Sequence, residues 1–252
     1  MFEYRSRALT YFATFAACLA LQARADDVQA LLAKADSYRL AEAAAQIETE
    51  VIALKDGAQQ KQRRYTVLHR ENRRSLVLMR SPAEQGQKVL MLGDDYWLIL
   101  PRTERPVRIT PTQKLLGEAA TGDIATMQWA GDYDGEVLGE EPCEPGAART
   151  CKHLSLHTLR KGTTYARVEL WLDAELLHPV RADLYLTSNK LAKRARFALA
   201  TSTGRTLVTE MLLSDEIQAN RQTLVRYLSR VPKQTPDEWF NPMFLTRAQV
   251  DP

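Results

Sequence analysis

A chain of 252 residues, 45% hydrophobic and 26% charged, is long enough for one large domain with its own core, and all-β barrels often use this whole length. Its 34 basic and 31 acidic residues leave a formal net charge of +3, so charge gives a nucleic-acid role no support. The basic clusters at 61–64, 70–74 and 190–196 read as solvated faces or sheet edges kept soluble by charge.

Residues 1–25 read as a cleavable signal peptide. Arg5 and Arg7 precede an apolar run over 8–21, and Ala23-Arg24-Ala25 supplies the small-x-small pattern that a signal peptidase cuts after. The expected mature chain is then one periplasmic domain over 26–252. The competing signal is Phe15-Ala16-Ala17-Cys18, a lipobox with Phe where Leu is usual, which would anchor the protein through lipid on Cys18. No later apolar run approaches the roughly 20 residues of a membrane span.

The mature chain opens with an amphipathic helix. Val28, Leu31, Leu32 and Ala35 recur at helical spacing, and the Ala-rich stretch carries helix propensity on to Gln46, with Tyr38-Arg39 a point where it can break. From Ile47 the pattern becomes short runs between turn signals. Runs at 47–54 and 60–69 flank Asp56-Gly57, the strongest short hairpin signal in the chain. Strands come next at 73–80, ended by Ser81-Pro82, at 88–92 and at 96–100. The turn-prone segment 101–105 then leads to 106–110. After it lies a Gly-bearing cover, with Leu115 and Leu116, Gly117, Gly122 and Asp123, and then Met127 and Trp129.

Beyond the cover, strands are expected at 136–139, 152–160, 165–173, 180–187, 192–201, 207–214 and 222–231, the spacing of an antiparallel meander. Cys143 and Cys151 bracket a loop rich in Pro, Gly and Ala, and in an oxidising compartment they read as a disulfide. The alternative is a metal site of Cys143, Cys151, His153 and His157, whose spacing matches no common zinc pattern. In 165–173, Val168, Leu170 and Leu172 alternate with Arg167, Glu169 and Trp171. In 180–187, Val180, Ala182, Leu184 and Leu186 alternate with Arg181, Asp183 and Tyr185. One sheet face is therefore expected to be apolar throughout. A meander this long must curl to protect its edges, which implies a closed or nearly closed barrel with the first helix at its mouth. The tail at 237–249, with Trp239, Phe240 and Phe244, reads as an arm or short helix on the outside or rim.

Several segments together carry a resemblance. They are Gly93-Asp94-Asp95-Tyr96-Trp97-Leu98-Ile99-Leu100-Pro101, Arg105-Pro106-Val107-Arg108-Ile109-Thr110, Gln113-Lys114-Leu115-Leu116-Gly117, Thr121-Gly122-Asp123-Ile124-Ala125 and Gly131-Asp132-Tyr133. Arg160-Lys161-Gly162, Thr164-Tyr165, the run 168–171 and Pro179-Val180-Arg181-Ala182 agree with it as well. The pattern resembles the LolA-like outer-membrane lipoprotein-sorting family over most of the mature chain. The resemblance implies a mainly β fold, an unclosed antiparallel β-barrel of the LolA/LppX-like kind with covering helices. It also implies a monomeric carrier, without cofactor or metal, that shields lipid or lipoprotein acyl chains in an apolar cavity and passes them toward the outer membrane. The lining and cover would be Trp97, Ile99, Leu115, Leu116, Met127, Trp129, Val168, Leu170, Leu172, Leu184 and Leu186. Family members are similar to proteins encoded near exporters of the resistance-nodulation-division type. The alternative is therefore a non-enzymatic periplasmic adaptor subunit of such an inner-membrane exporter.

Catalysis finds little in the sequence. His69, His153, His157 and His178 are available, with Asp183 or Glu169 to orient one, but no Ser or Cys nucleophile sits in a recognisable turn beside them. His178, directly before Pro179, reads as the residue leading into a strand.

Overall fold

In the computed structural model, which describes residues 28–40, 42–109, 128–161, 163–202 and 204–251, thirteen strands form one antiparallel sheet. β1 (Ala44–Lys55), β2 (Ala58–Arg70), β3 (Arg74–Met79), β4 (Lys88–Leu92), β5 (Asp95–Ile99) and β6 (Val107–Ile109) make one meander. β7 (Tyr133–Pro142), β8 (Thr150–Thr158), β9 (Arg167–Asp173), β10 (Pro179–Tyr185), β11 (Leu191–Ser202), β12 (Arg205–Asp215) and β13 (Arg221–Pro232) make a second. β1 pairs with β13 and joins the two. β6 and β7, successive strands among the described residues, are consequently the two edges of a sheet that does not close.

Local chemistry explains the regular parts. Asp56 and Gly57 both take positive φ, 52° and 77°, the backbone of a two-residue hairpin turn whose twist matches its strands. At the β7 edge, a Cβ on Gly135 would lie 1.9 Å from the Ser155 carbonyl oxygen, so β8 can approach this closely only because position 135 is glycine. The first helix is shorter than expected. It ends at 37, and Ala44 to Gln46 belong to β1, where Ala45 packs inward and Gln46 pairs with Val231 and Leu68. Strand pairing on both sides outweighs the helix propensity of alanine there.

The sheet curls. One apolar cluster takes inward side chains from strands far apart in the sheet order, among them Val67 of β2, Met91 of β4, Leu156 of β8, Leu170 of β9 and Met211 of β12. Arg73, in the turn after β2, forms an ion pair with Asp132, just before the far edge strand β7. A flat sheet could make neither contact.

The second face is not polar throughout. Over β2 to β5, Leu68, Leu76, Leu78, Leu90 and Ile99 point outward and form a second cluster with Phe240, Leu245 and Val250 of the tail, while Trp97 and Trp239 pack against it. The tail folds as a 3-10 turn (Asp237–Phe240) and a short helix (Pro242–Arg247), whose first N–H groups are capped by the Asn241 side chain at 2.9 and 3.3 Å to Met243 and Phe244. Asp237 pairs with Arg70 and Arg74, and Lys88 donates to the Leu245 carbonyl at 3.1 Å. These strands thus carry apolar residues on both faces, one for the interior and one for the tail. Leu245 is fully buried, so Leu245→Ala should cost about 2–5 kcal/mol in equilibrium unfolding. A change under about 1 kcal/mol would mean that the tail is not packed on the sheet.

Cys143 and Cys151 form a disulfide with Cα atoms 4.9 Å apart, and the bridge packs with Trp171 and Val180 on the outer face. Val180 was expected to face inward with Ala182 and Leu184. An irregularity in the β9–β10 register between Pro179 and Arg181 turns it outward instead. Closing so short a loop should stabilise the fold by about 2–3 kcal/mol, so a Cys143→Ser, Cys151→Ser variant should still fold but melt earlier. Thiol labelling of the unreduced wild type should find neither cysteine; two reactive thiols would contradict the pairing.

Candidate ligand-binding site

The inner face of the curled sheet is the candidate site, and the first helix lies on it. Val28, Leu31, Leu32 and Ala35 form its buried stripe and join the inner cluster. Two polar side chains of the helix, a spacing of seven apart and so on one side, grip the segment that leads into β7. Gln29 donates to the Tyr133 carbonyl at 2.7 Å and accepts from the Gly131 N–H at 3.0 Å. Asp36 accepts from the Trp129 N–H at 3.1 and 2.8 Å on its two carboxylate oxygens, and from the Ala130 N–H at 2.9 Å. The Tyr133 hydroxyl extends this link to the Tyr165 carbonyl at 3.0 Å.

Asp36 is buried, and burial raises its pKa from an ordinary 3.8 to about 6, against the opposing pull of Arg39 and of the two backbone N–H groups. Arg39 ends the helical turn and is buried with its guanidinium 3.9 Å over the Trp129 ring, and Trp129 meets Phe197 edge to face at 5.8 Å. Burial lowers the pKa of Arg39.

The expected lining divides. Trp129, Val168, Leu170, Leu172 and Leu184 join the inner cluster, and Leu186 packs against it. Trp97 and Ile99 do not. In β5 it is Tyr96 and Leu98 that face inward, so Trp97 and Ile99 belong to the outer cluster under the tail. Leu115, Leu116 and Met127 lie outside the described residues. The residues that sequence reasoning missed are Gln29, Asp36, Arg39 and Tyr133. Arg39 had a signal, because it continues the apolar stripe 28, 31, 32, 35 by one further turn, where a charge is out of place.

Among the described residues the groups considered for metal binding or catalysis have other partners. Both sulfurs of the would-be metal set are in the disulfide, while His153 stacks on Trp171 at 4.1 Å and binds Glu169 at 2.9 Å. The Ser155 hydroxyl donates to the other oxygen of Glu169, at 2.9 Å, rather than to an imidazole. His178 is buried before β10 with Arg149 at 2.6 Å.

A family model described only as an uncharacterized protein matches residues 71–247. A LolA superfamily protein from Nitrosomonas europaea is 27% identical with a TM-score of 0.76, over 85% of this chain and 97% of its own. The chain belongs to the LolA-like family. Two further structures share the LolA-like fold. An outer membrane lipoprotein-sorting protein domain from Vibrio parahaemolyticus is 19% identical, TM-score 0.69, over 88% of this chain and 100% of its own. A DUF1329 family protein from Desulfovibrio piger is 20% identical, TM-score 0.68, over 86% and 97%. Among curated proteins none matches this LolA-like chain.

Asp36 offers a test of the helix contact. Its folded pKa lies above the ordinary 3.8, so the stability it contributes is fully present below 3.8 and is lost as pH rises through about 6. Over that window wild type should lose stability relative to Asp36→Asn by on the order of 3 kcal/mol, and carboxyl NMR should place the midpoint near 6. An ordinary midpoint, or stability rising with pH, would show that Arg39 and the two N–H groups offset the burial of this carboxyl.

Proposed function

We propose that this protein is an exported, non-enzymatic carrier that holds lipid or lipoprotein acyl chains against the inner face of its sheet and hands them toward the outer membrane. The observation that carries this reading is the continuous apolar inner face of a sheet that does not close. Among the described residues one helix, with its described part at 28–37, lies on that face.

The work of such a carrier is transfer free energy. An acyl chain of on the order of 15 methylenes loses roughly 12 kcal/mol of favourable burial when drawn into water, at about 0.8 kcal/mol per methylene. An apolar concave face offsets that, and an unclosed edge leaves a way in and out. The LolA superfamily name of one related structure and the lipoprotein-sorting name of another favour this reading. Export agrees with the residue 1–25 signal and with a disulfide, a bond that persists in oxidising compartments. We take the mature chain to be one domain starting at Asp26; no described helix is long and apolar enough to cross a membrane.

Leu170 and Leu184, both buried on the inner face, provide the test. In a carrier, Leu170→Glu and Leu184→Glu should remain folded by circular dichroism yet lose uptake of a fluorescent fatty acid, and mass spectrometry of an organic extract of the wild type should reveal bound lipid. In a filled core, burying a carboxyl should instead cost above about 4 kcal/mol and leave little soluble protein. Unfolding of both variants, or a wild type that binds no lipid, would overturn the carrier reading.

A further inference from the structure

We propose that Arg39 and Arg230 form an anion-binding site on the inner face, which takes the carboxylate or phosphate headgroup of an acyl ligand; this rests on the carrier reading and specifies its ligand class. Three observations converge on it. The first is Arg39 itself, 4% exposed, whose Nε and both terminal nitrogens have no hydrogen-bond partner. Asp36 is 3.5 Å away, but its carboxylate is already engaged by the Trp129 and Ala130 N–H groups. A guanidinium removed from water without acceptors is costly, and stacking on Trp129 supplies none.

The second observation is how Arg230 comes to face the same interior. In the β1–β13 register Glu48 opposes Ser229 while Thr49 opposes Tyr227, so Leu228 is an extra, exposed residue. With regular alternation from Val225 and Tyr227, position 230 would point outward. The bulge brings Arg230 opposite Ile47, an inner-cluster residue. β12 has left β13 by this point, their pairing ending at Glu210 and Arg226. Val208 donates to the Tyr38 carbonyl at 2.8 Å and accepts from Arg230 at 2.6 Å. A second Arg230 nitrogen, Nε, is buried without a hydrogen-bond partner.

The third is the charge balance. Arg230 is tied through Val208 to the Tyr38 carbonyl, one residue before Arg39, and burial lowers the pKa of each arginine. Among the described residues, Asp36 is the carboxylate set against these two guanidiniums, and the phenols of Tyr227 and Tyr133 also act on Arg39. A ligand oxyanion with two acceptor oxygens would fill the vacant donors and neutralise the excess charge, with the fork geometry that guanidinium offers. The rings of Trp129, Phe197 and Tyr227 around the two arginines lead directly into the apolar cluster, where a chain attached to that headgroup would lie.

The experiment uses chain-end pyrene-labelled probes on the full mature protein: a long-chain fatty acid, its methyl ester, and a lysophosphatidylglycerol of the same chain. Wild type should bind the acid or the phospholipid at least about tenfold more tightly than the uncharged ester. In Arg39→Met and in Arg230→Met, each checked for folding by circular dichroism, that ratio should fall toward one. Preference for the acid alone assigns the site to free carboxylates, and preference for the lysophospholipid alone assigns it to phosphodiester headgroups. Equal binding of acid, phospholipid and ester by wild type overturns the anion site while leaving the carrier reading intact, and needs no variant. A ratio that survives both substitutions overturns the assignment to these arginines. Failure of every probe to bind overturns the site together with the carrier reading.

Discussion

The pairing of β1 with β13 is the constraint on which the rest of this architecture depends. It runs from Ala45 opposite Pro232 to Lys55 opposite Arg221 and fuses two meanders, each with its own edges, into one sheet. The same seam sorts the chain ends. The segment before β1 turns onto the concave side as helix 28–37, and the segment after β13 turns onto the convex side as the tail. Interior and exterior cover are thus set from a single line through the sheet, and both depend on its register, since a slip of one residue would exchange the faces of every side chain.

Much of this was legible in the sequence, where a strand has one polar and one apolar face. β9 and β10 alternate cleanly, and Val168, Leu170, Leu172 and Leu184 face inward as their spacing implies. Alternation fails where a second apolar layer exists. β5 reads Asp-Tyr-Trp-Leu-Ile, four apolar residues in a row after one polar one, so only Asp95, on the same face as the tail-facing Trp97 and Ile99, distinguishes them from the inward Tyr96 and Leu98. It fails again at register irregularities, which carry no sequence mark: Val180 is turned outward by one, and Arg230 inward by another. The helix end was missed because alanine favours helix in isolation, while positions 44–46 gain two strand partners in the fold.

The polar groups on the inner face show how the cover is seated. Gln29 and Asp36 fasten the backbone of 129–133 through groups that an apolar stripe could not supply, and each such bond is directional where packing is not. Leucines along the helix supply area; the carboxylate and the amide determine where the segment before β7 sits. Arg73 and Asp132 do the same between β2 and β7. Specific orientation here comes from a few buried polar contacts set into a large apolar surface.

Because β1 pairs with β13, the first and last described strands are partners, and this bears on how the protein is made. A ribosome or a translocon delivers β1 long before β13, so the completed first meander waits with the bonding edge of β1 bare. That edge is twelve residues long and rich in buried apolar side chains, the kind of edge that recruits foreign strands. The contact that completes the sheet is also the one of highest contact order, and its loop-closure entropy is lost before the seam returns any bonding. The circular logic of the fold makes the nascent half-sheet the most vulnerable species on the pathway.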